Sequence, residues 1–224
     1  MIGLQILKRR RAVDLELARK FLDVPVANVS DCMSRMTAGG ARLRPMHAGG
    51  RMAGPAFTIK TRPGDNLMIH KALELAKPGD VIVVDGGGDL TNALIGEIMI
   101  GLAVKRGFAG VVIDGSIRDA AWVRAQNFPV FAAGVTHRGP YKDGPGEINV
   151  NIAIDGMVIE PGDLIIGDDD GLLCVPYAEA QNLYQAANKK QEIEAVMMAQ
   201  IQDGTYQTPW ADATLERIGC YIEP

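Results

Sequence analysis

The stretch Val81-Ile82-Val83-Val84-Asp85-Gly86-Gly87-Gly88-Asp89, answered by Gly110-Val111-Val112-Ile113-Asp114-Gly115-Ser116-Ile117-Arg118-Asp119, decides the fold of this chain. Each part is a run of β-branched residues that ends in an acidic, glycine-rich turn. A continuous apolar run of this length reads as a strand buried on both faces. Residues 91–106 between them read as a helix. Strand, glycine-rich turn, helix, strand, acidic turn is a βαβ unit, so both turns belong at the carboxyl edge of one sheet, where open α/β sheets bind ligands. That edge would hold Arg118 beside Asp119, and a glycine loop able to aim backbone N–H groups at an anion.

Working outward, residues 12–22 and 28–36 read as helices, with Asn28, Ser30 and Asp31 as capping side chains for the second. A Gly/Arg/Pro-rich connector (39–54) leads to a strand at 56–60 and a helix at 67–75. A helix is expected at 120–126 and a strand at 129–133, and 137–146 reads as an exposed loop. From residue 148 the pattern changes to short strands with tight turns, at 150–154, 157–159, 164–166 and 172–175. Asp155-Gly156 between apolar runs is a strong hairpin cue. Residues 177–203 form a long helix, 204–211 a linker, and 211–219 a further helical segment. Pro-Gly-Asp occurs at 63–65, 78–80 and 161–163, and reads as a favoured turn used repeatedly rather than a duplication. The expected architecture is a three-layer α/β/β domain over 1–176, with N-terminal helices and a C-terminal helical tail over 177–224. A classical Rossmann domain fits poorly, because the second half is β-meander.

Composition narrows the function. The chain has 224 residues with 47% hydrophobic and 22% charged positions, as expected of a globular protein. A net charge of −4 argues against a phosphate-backbone partner, so no nucleic acid is expected. The basic cluster Lys8-Arg9-Arg10-Arg11 reads as a solvated helix start. The three cysteines, Cys32, Cys174 and Cys220, form neither a disulfide framework nor a Cys-x-x-Cys motif. With no apolar signal core and no membrane-length apolar run, a cytoplasmic location and no membrane association are expected.

Neither Gly-x-Gly-x-x-Gly nor Gly-Lys-[Ser/Thr] is present, so no nucleotide motif is matched. His47, His70 and His137 lack metal-ligand spacing, and each alone reads as structural. Asp168-Asp169-Asp170-Gly171 lacks the closing glutamate of a calcium loop and reads as a solvated turn. Arg118-Asp119 has two readings that spacing leaves open. One is a surface ion pair with Asp119 capping a helix at Ala120. The other places a divalent cation on Asp119, with Arg118 clamping the carboxylate or keto oxygen of an acid.

Val29-Ser30-Asp31, Gly96-Glu97 and the block at 107–119 resemble the family that contains the regulator of ribonuclease activity A and the class II 4-hydroxy-4-methyl-2-oxoglutarate and 4-carboxy-4-hydroxy-2-oxoadipate aldolases. The resemblance runs over about 26–175. An acidic residue, twenty intervening positions and then Arg-Asp is the aldolase signature; Glu97 and Arg118 stand at that separation, with glutamate where aspartate is common. The resemblance implies a swivelling-type α/β/β fold, a homotrimer or dimer of trimers, and sites at subunit interfaces. It further implies that Gly96, Glu97, Ile98 and Met99 hold a pyruvoyl group through backbone amides, that Arg118 contacts substrate, and that Asp119 carries Mg²⁺, Mn²⁺ or another divalent cation. Pyruvate release from a 4-hydroxy-2-oxo diacid is the expected reaction, with oxaloacetate decarboxylation beside it and Arg118 and Glu97 as its catalytic side chains. Glu192 and Glu194 of the tail are weaker candidates for holding the water that serves as base. A non-catalytic inhibitor of a ribonuclease is the alternative within the same family.

Overall fold

A computed structural model of the chain describes residues 2–36, 39 and 41–223. The elements run β1 (Leu4–Ile6), α1 (Leu15–Lys20), α2 (Val26–Cys32), β2 (Arg44–Pro45), β3 (Met52–Thr61), α3 (Leu67–Leu75), β4 (Val81–Asp85) and β5 (Ala93–Ile95). They continue α4 (Glu97–Lys105), β6 (Gly110–Ile117), α5 (Ala120–Ala125), β7 (Val130–Val135), β8 (Gly146–Ile148), β9 (Ile152–Ile154), β10 (Met157–Ile159), β11 (Leu164–Asp168), β12 (Gly171–Val175), α6 (Ala180–Asp203) and α7 (Pro209–Arg217). The chain divides into two compact units, residues 1–187 and 188–224.

In the first unit the main sheet has the order β1-β8-β3-β4-β6-β7-β2, with β3, β4, β6 and β7 mutually parallel. Its centre shows why the apolar runs are continuous. Ile82 and Val84 of β4, with Val111 and Ile113 of β6, face the core under α3, α4 and α5. Val81, Val83 and Val112 face the opposite way, against β9, β10, β11 and β12. Both faces are covered, so period-2 alternation is invisible in the sequence. The outer surface of β11 and β12 is covered in turn by α1, α2 and the start of α6, through Phe21, Val29, Leu173 and Ala180. This is the α/β/β stack with its outer sheet flanked by the N-terminal helices and the start of α6.

β3 joins the two β layers. Its first half pairs with β11 and its second half with β4. The handover falls at Pro55, where a residue without an N–H costs no ladder bond. Asp155 and Gly156 close the β9–β10 hairpin with both backbones at positive φ, 50° and 84°, as a primed turn demands.

Several sequence expectations change. Residues 91–106 are not one helix: Ala93–Ile95 is a strand paired with the end of β6, and the helix begins at Glu97. β6 also runs on to Ile117, so Asp114 to Ile117 are strand rather than turn. The proposed caps Asn28, Ser30 and Asp31 lie inside α2; the Val26 N–H at its start donates instead to Asp168 Oδ2 (2.9 Å). The connector holds β2 and the first residues of β3, and its Gly40 lies outside the described residues. In the second unit Pro209 opens α7 rather than sitting in the linker, a position where its missing N–H costs nothing.

The basic cluster is not a helix start. α1 begins later, capped by Asp14, whose Oδ1 accepts from Glu16 N–H at 2.8 Å. Arg9 reaches buried Asp80 at 2.7 Å and lies over Phe57, while Arg11 pairs with Glu160 and lies over Tyr177. The run therefore straps the N-terminal segment to the domain.

The three Pro-Gly-Asp turns recur for a local reason. Gly64, Gly79 and Gly162 all have positive φ, and Asp65, Asp80 and Asp163 are buried carboxylates that accept backbone N–H groups. At Gly162 (φ +91°) a Cβ would also run into the Arg11 carbonyl. Gly162→Ala is therefore expected to destabilise the first unit by about 1–3 kcal/mol from backbone strain alone, read as a lower urea midpoint at unchanged slope. Cys32, Cys174 and Cys220 are free thiols. Among the described residues no helix is long and apolar enough to cross a membrane.

Candidate functional site

The site forms where β5 pairs with the end of β6. Ala93 stands opposite Ser116 and Ile95 opposite Ile117, and the Arg118 N–H donates to the Ile95 carbonyl at 3.0 Å. This pairing brings Gly96-Glu97 beside Arg118-Asp119 although twenty residues separate them in sequence. β6 is buried along its whole length, so Arg118 and Asp119 are the first side chains to leave the core.

Asp119 does not cap the helix that follows it. Its backbone is left-handed (φ 60°, ψ 36°), and its side chain makes no cap bond to α5. Instead its Oδ2 accepts from the Glu97 N–H at 2.9 Å, so one carboxylate caps α4 from across the sheet edge. A non-glycine residue in this region is uncommon, although aspartate tolerates it better than most. The Arg118 Nε lies 3.6 Å from the same oxygen. Gly96 makes this approach possible. A Cβ there would collide with Asp119 Oδ2 and come within 2.8 Å of Arg118 Cγ.

Helix geometry leaves the Ile98 and Met99 N–H groups without partners four residues back, at the positive end of the α4 dipole. Beside this helix start is a cavity of about 390 Å³ whose lining includes Gly96, Ile98, Met99 and Arg118. Of the residues singled out from sequence, those four line it. Glu97 and Asp119 do not; both stand exposed at its margin, Asp119 with 35% of its side chain accessible.

Three further lining residues were not anticipated: Asn66, His70 and Lys142. Asn66 precedes α3 and is buried, its Nδ2 donating to the Leu94 carbonyl at 2.9 Å while its Oδ1 has no hydrogen-bond partner. His70 is one turn further along α3. Partial desolvation first, and then nearby Lys142, hold its pKa below the usual histidine value, against a smaller pull from Glu74. Lys142 comes from the 136–145 loop. Buried Asp65 fixes that loop by accepting the N–H groups of Asp143 (2.7 Å) and Gly144 (2.9 Å). The only signal for these three in the sequence was a lone histidine and a loop without periodicity. His47, by contrast, is structural, accepting from Val130 N–H at 3.1 Å and reaching the Gly50 carbonyl.

The glycine run that opened the reading does other work. Gly87 N–H donates to Asp85 Oδ1 and Gly88 N–H to the Asp114 carbonyl, both at 3.1 Å, so these amides are not offered to an anion. Gly88 instead makes room for Arg42, which pairs with Asp114 at 2.8 Å. Burial raises the Asp114 pKa, with Arg42 opposing.

Among the described residues no group of three or more His, Cys, Asp or Glu side chains is arranged to hold a metal ion. A half-exposed carboxylate beside a second exposed acid still suits a cation that keeps most of its water, as Mg²⁺ does.

A family model described as "RraA-like: Aldolase/RraA" matches residues 26–174. The chain is 39% identical over 190 residues to a Halalkalibacterium halodurans protein named "Putative 4-hydroxy-4-methyl-2-oxoglutarate aldolase", covering 85% of this chain and 90% of that relative. Among solved structures it is similar to Streptomyces coelicolor RraAS2, described as an unusual member of the RNase ES inhibitor RraA protein family. The TM-score there is 0.74 at 29% identity, covering 83% of this chain and 97% of that one. It is also similar to the RNA-processing inhibitor RraA of Thermus thermophilus, with a TM-score of 0.64 at 32% identity, covering 69% and 93%. The α/β/β reading agrees with both structures.

Proposed function

Because the chain belongs to the RraA-like family, we propose that it is a divalent-metal-dependent class II aldolase. It releases pyruvate from a 4-hydroxy-2-oxo diacid such as 4-hydroxy-4-methyl-2-oxoglutarate or 4-carboxy-4-hydroxy-2-oxoadipate. The observation that carries this reading is the convergence of Arg118 and the α4 N-terminus on one cavity, with Asp119 bonded to that same terminus. Relatives with the aldolase name support it.

The substrate carboxylate sits on the Ile98 and Met99 N–H groups, where the helix dipole favours an anion. Arg118 faces the keto oxygen. When the C3–C4 bond breaks, its electron pair moves into a C2–C3 double bond and negative charge collects on that oxygen. The guanidinium stabilises the charge as it develops. The C4 hydroxyl gives up its proton and becomes a carbonyl; the enolate then takes a proton at C3 and leaves as pyruvate. Asp119, with Glu97 beside it, would hold a hydrated Mg²⁺ or Mn²⁺, which supplies Lewis-acid stabilisation of the same enolate. Glu97, exposed at the margin, would hold the water that accepts the hydroxyl proton. Oxaloacetate passes through the same enolate, so its decarboxylation is a side activity. Exposed Ile98 and Leu102 beside the cavity fit burial against a second copy, and we propose a trimer or dimer of trimers.

The test is pyruvate release from a panel of oxo-diacids, coupled to lactate dehydrogenase. We expect turnover that stops in EDTA, returns with Mg²⁺ or Mn²⁺, and falls by at least about 10²-fold in Asp119→Ala. Full activity of Asp119→Ala in EDTA would refute the metal assignment. If no diacid yields pyruvate in the presence of metal, the inhibitor reading carried by the RraA structures takes its place.

A further inference from the structure

The N-terminal segment runs between two backbone anchors. Leu7 N–H donates to the Ile148 carbonyl at 3.0 Å, and Val13 N–H to the Gly162 carbonyl at 2.9 Å. Between the anchors, none of the backbone N–H groups or carbonyls of residues 8–12 has a hydrogen-bond partner among the described residues. The side chains alternate with the period of a strand. Arg9 turns to buried Asp80 and Phe57, Arg11 to Glu160 and Tyr177, and Val13 is buried in the core. Lys8 and Arg10 are exposed, and neither has an ion-pair partner among the described residues. A cavity of about 890 Å³ lies against this segment, lined by residues 6–11 with Asn149, Glu160 and Pro161. Its one acid, Glu160, is already taken by Arg11.

We propose that residues 8–12 are a docking edge for an extended acidic peptide of a partner protein, which adds to the segment as a strand and sets its carboxylates against Lys8 and Arg10. Strand addition takes its affinity from main-chain groups that are unbonded beforehand, and its selectivity from alternate side chains. Both are present here. β1 is the outermost strand of the main sheet, and the segment prolongs the chain from it. Cations on an open edge repel basic strands, whereas acids two residues apart on an incoming strand match Lys8 and Arg10, which are also two apart. At about 3.4 Å per residue the open run spans roughly 17 Å, the length of a five-residue strand. Its bonds to Ile148, Gly162 and Asp80 fix the backbone before a partner arrives, which lowers the cost of ordering. A nucleic acid fits less well, because no aromatic side chain lines the cavity for a base to stack on. None of these residues lines the α4 cavity, so the surface is independent of the aldolase reading.

The experiment is fluorescence anisotropy on the full chain with a fluorescein-labelled hexapeptide of alternating aspartate and valine. The peptide is expected to bind, and to bind less well as salt is added. Its asparagine–valine counterpart should bind at least about tenfold more weakly, the size of one charge-assisted hydrogen bond. The double variant Lys8→Glu/Arg10→Glu should lose at least about tenfold in affinity for the aspartate peptide through like-charge repulsion. It should keep the parental unfolding midpoint, because neither side chain is in an ion pair. Methylating alternate backbone nitrogens of the peptide leaves its charge unchanged and should abolish binding. An aspartate peptide that does not bind, an asparagine or N-methylated peptide that binds as well, or a double variant of parental affinity overturns the docking edge. Hexathymidylate binding as tightly as the peptide would overturn it too, leaving charge attraction without strand addition.

Discussion

Arg118→Ala is expected to lower the rate of pyruvate release by roughly 10²–10³-fold, the loss seen when one preorganised oxyanion donor is removed from an active site. The side chain is 44% exposed, and its ion-pair contact with Asp119 is long, at 3.6 Å. Exposed ion pairs of this kind contribute little to stability. The unfolding midpoint should therefore stay near that of the parent while turnover collapses. Lysine at this position restores a charge but not a planar fork, so Arg118→Lys should recover only part of the lost activity. An Arg118→Ala protein with parental turnover would remove the guanidinium from the mechanism altogether.

Gly96→Ala should be nearly as damaging, although it adds a single methyl group. The backbone at Gly96 is extended (φ −153°), so alanine meets no conformational strain there. The effect comes from the approach of neighbours. The new Cβ collides with Asp119 Oδ2 and presses on Arg118 Cγ, which stands 2.8 Å from it. Both side chains must move, and the Glu97 N–H loses its cap. Misplacing catalytic groups by about 1 Å can cost 10²-fold in rate, and losing a helix cap costs about 0.5–2 kcal/mol. The expected protein is folded, modestly less stable, and at least about 10²-fold slower. Parental activity in Gly96→Ala would mean that the bond between Asp119 and the α4 terminus is not part of the working site.

How much of this was readable beforehand differs from element to element. The 67–75 helix and the 81–84 strand stood out because proline, glycine or aspartate punctuates their ends. The Asp155-Gly156 hairpin was equally plain, since few residues tolerate two consecutive positive φ values. β5 was hidden: Ala93-Leu94-Ile95 opens an apolar stretch that continues into α4, and buried strand and buried helix look alike over so few residues. The role of Asp119 was half visible. Its position after an apolar strand marked it, yet the cap it provides belongs to a helix 22 residues upstream. The glycine run at 86–88 misled, because the Gly87 and Gly88 amides are spent on Asp85 and Asp114 rather than left for a ligand.

Sequence alone determined the layer class, the strands buried on both faces and the Arg-Asp pair at the ligand edge, because each is written in local periodicity or in a contiguous motif. Only the tertiary structure decided which groups meet around the cavity. His70 from α3, Lys142 from a loop tied down by Asp65, and the α4 amides come from three separate stretches of chain. Strand pairing and a buried carboxylate bring them together, and neither leaves a mark in the order of residues.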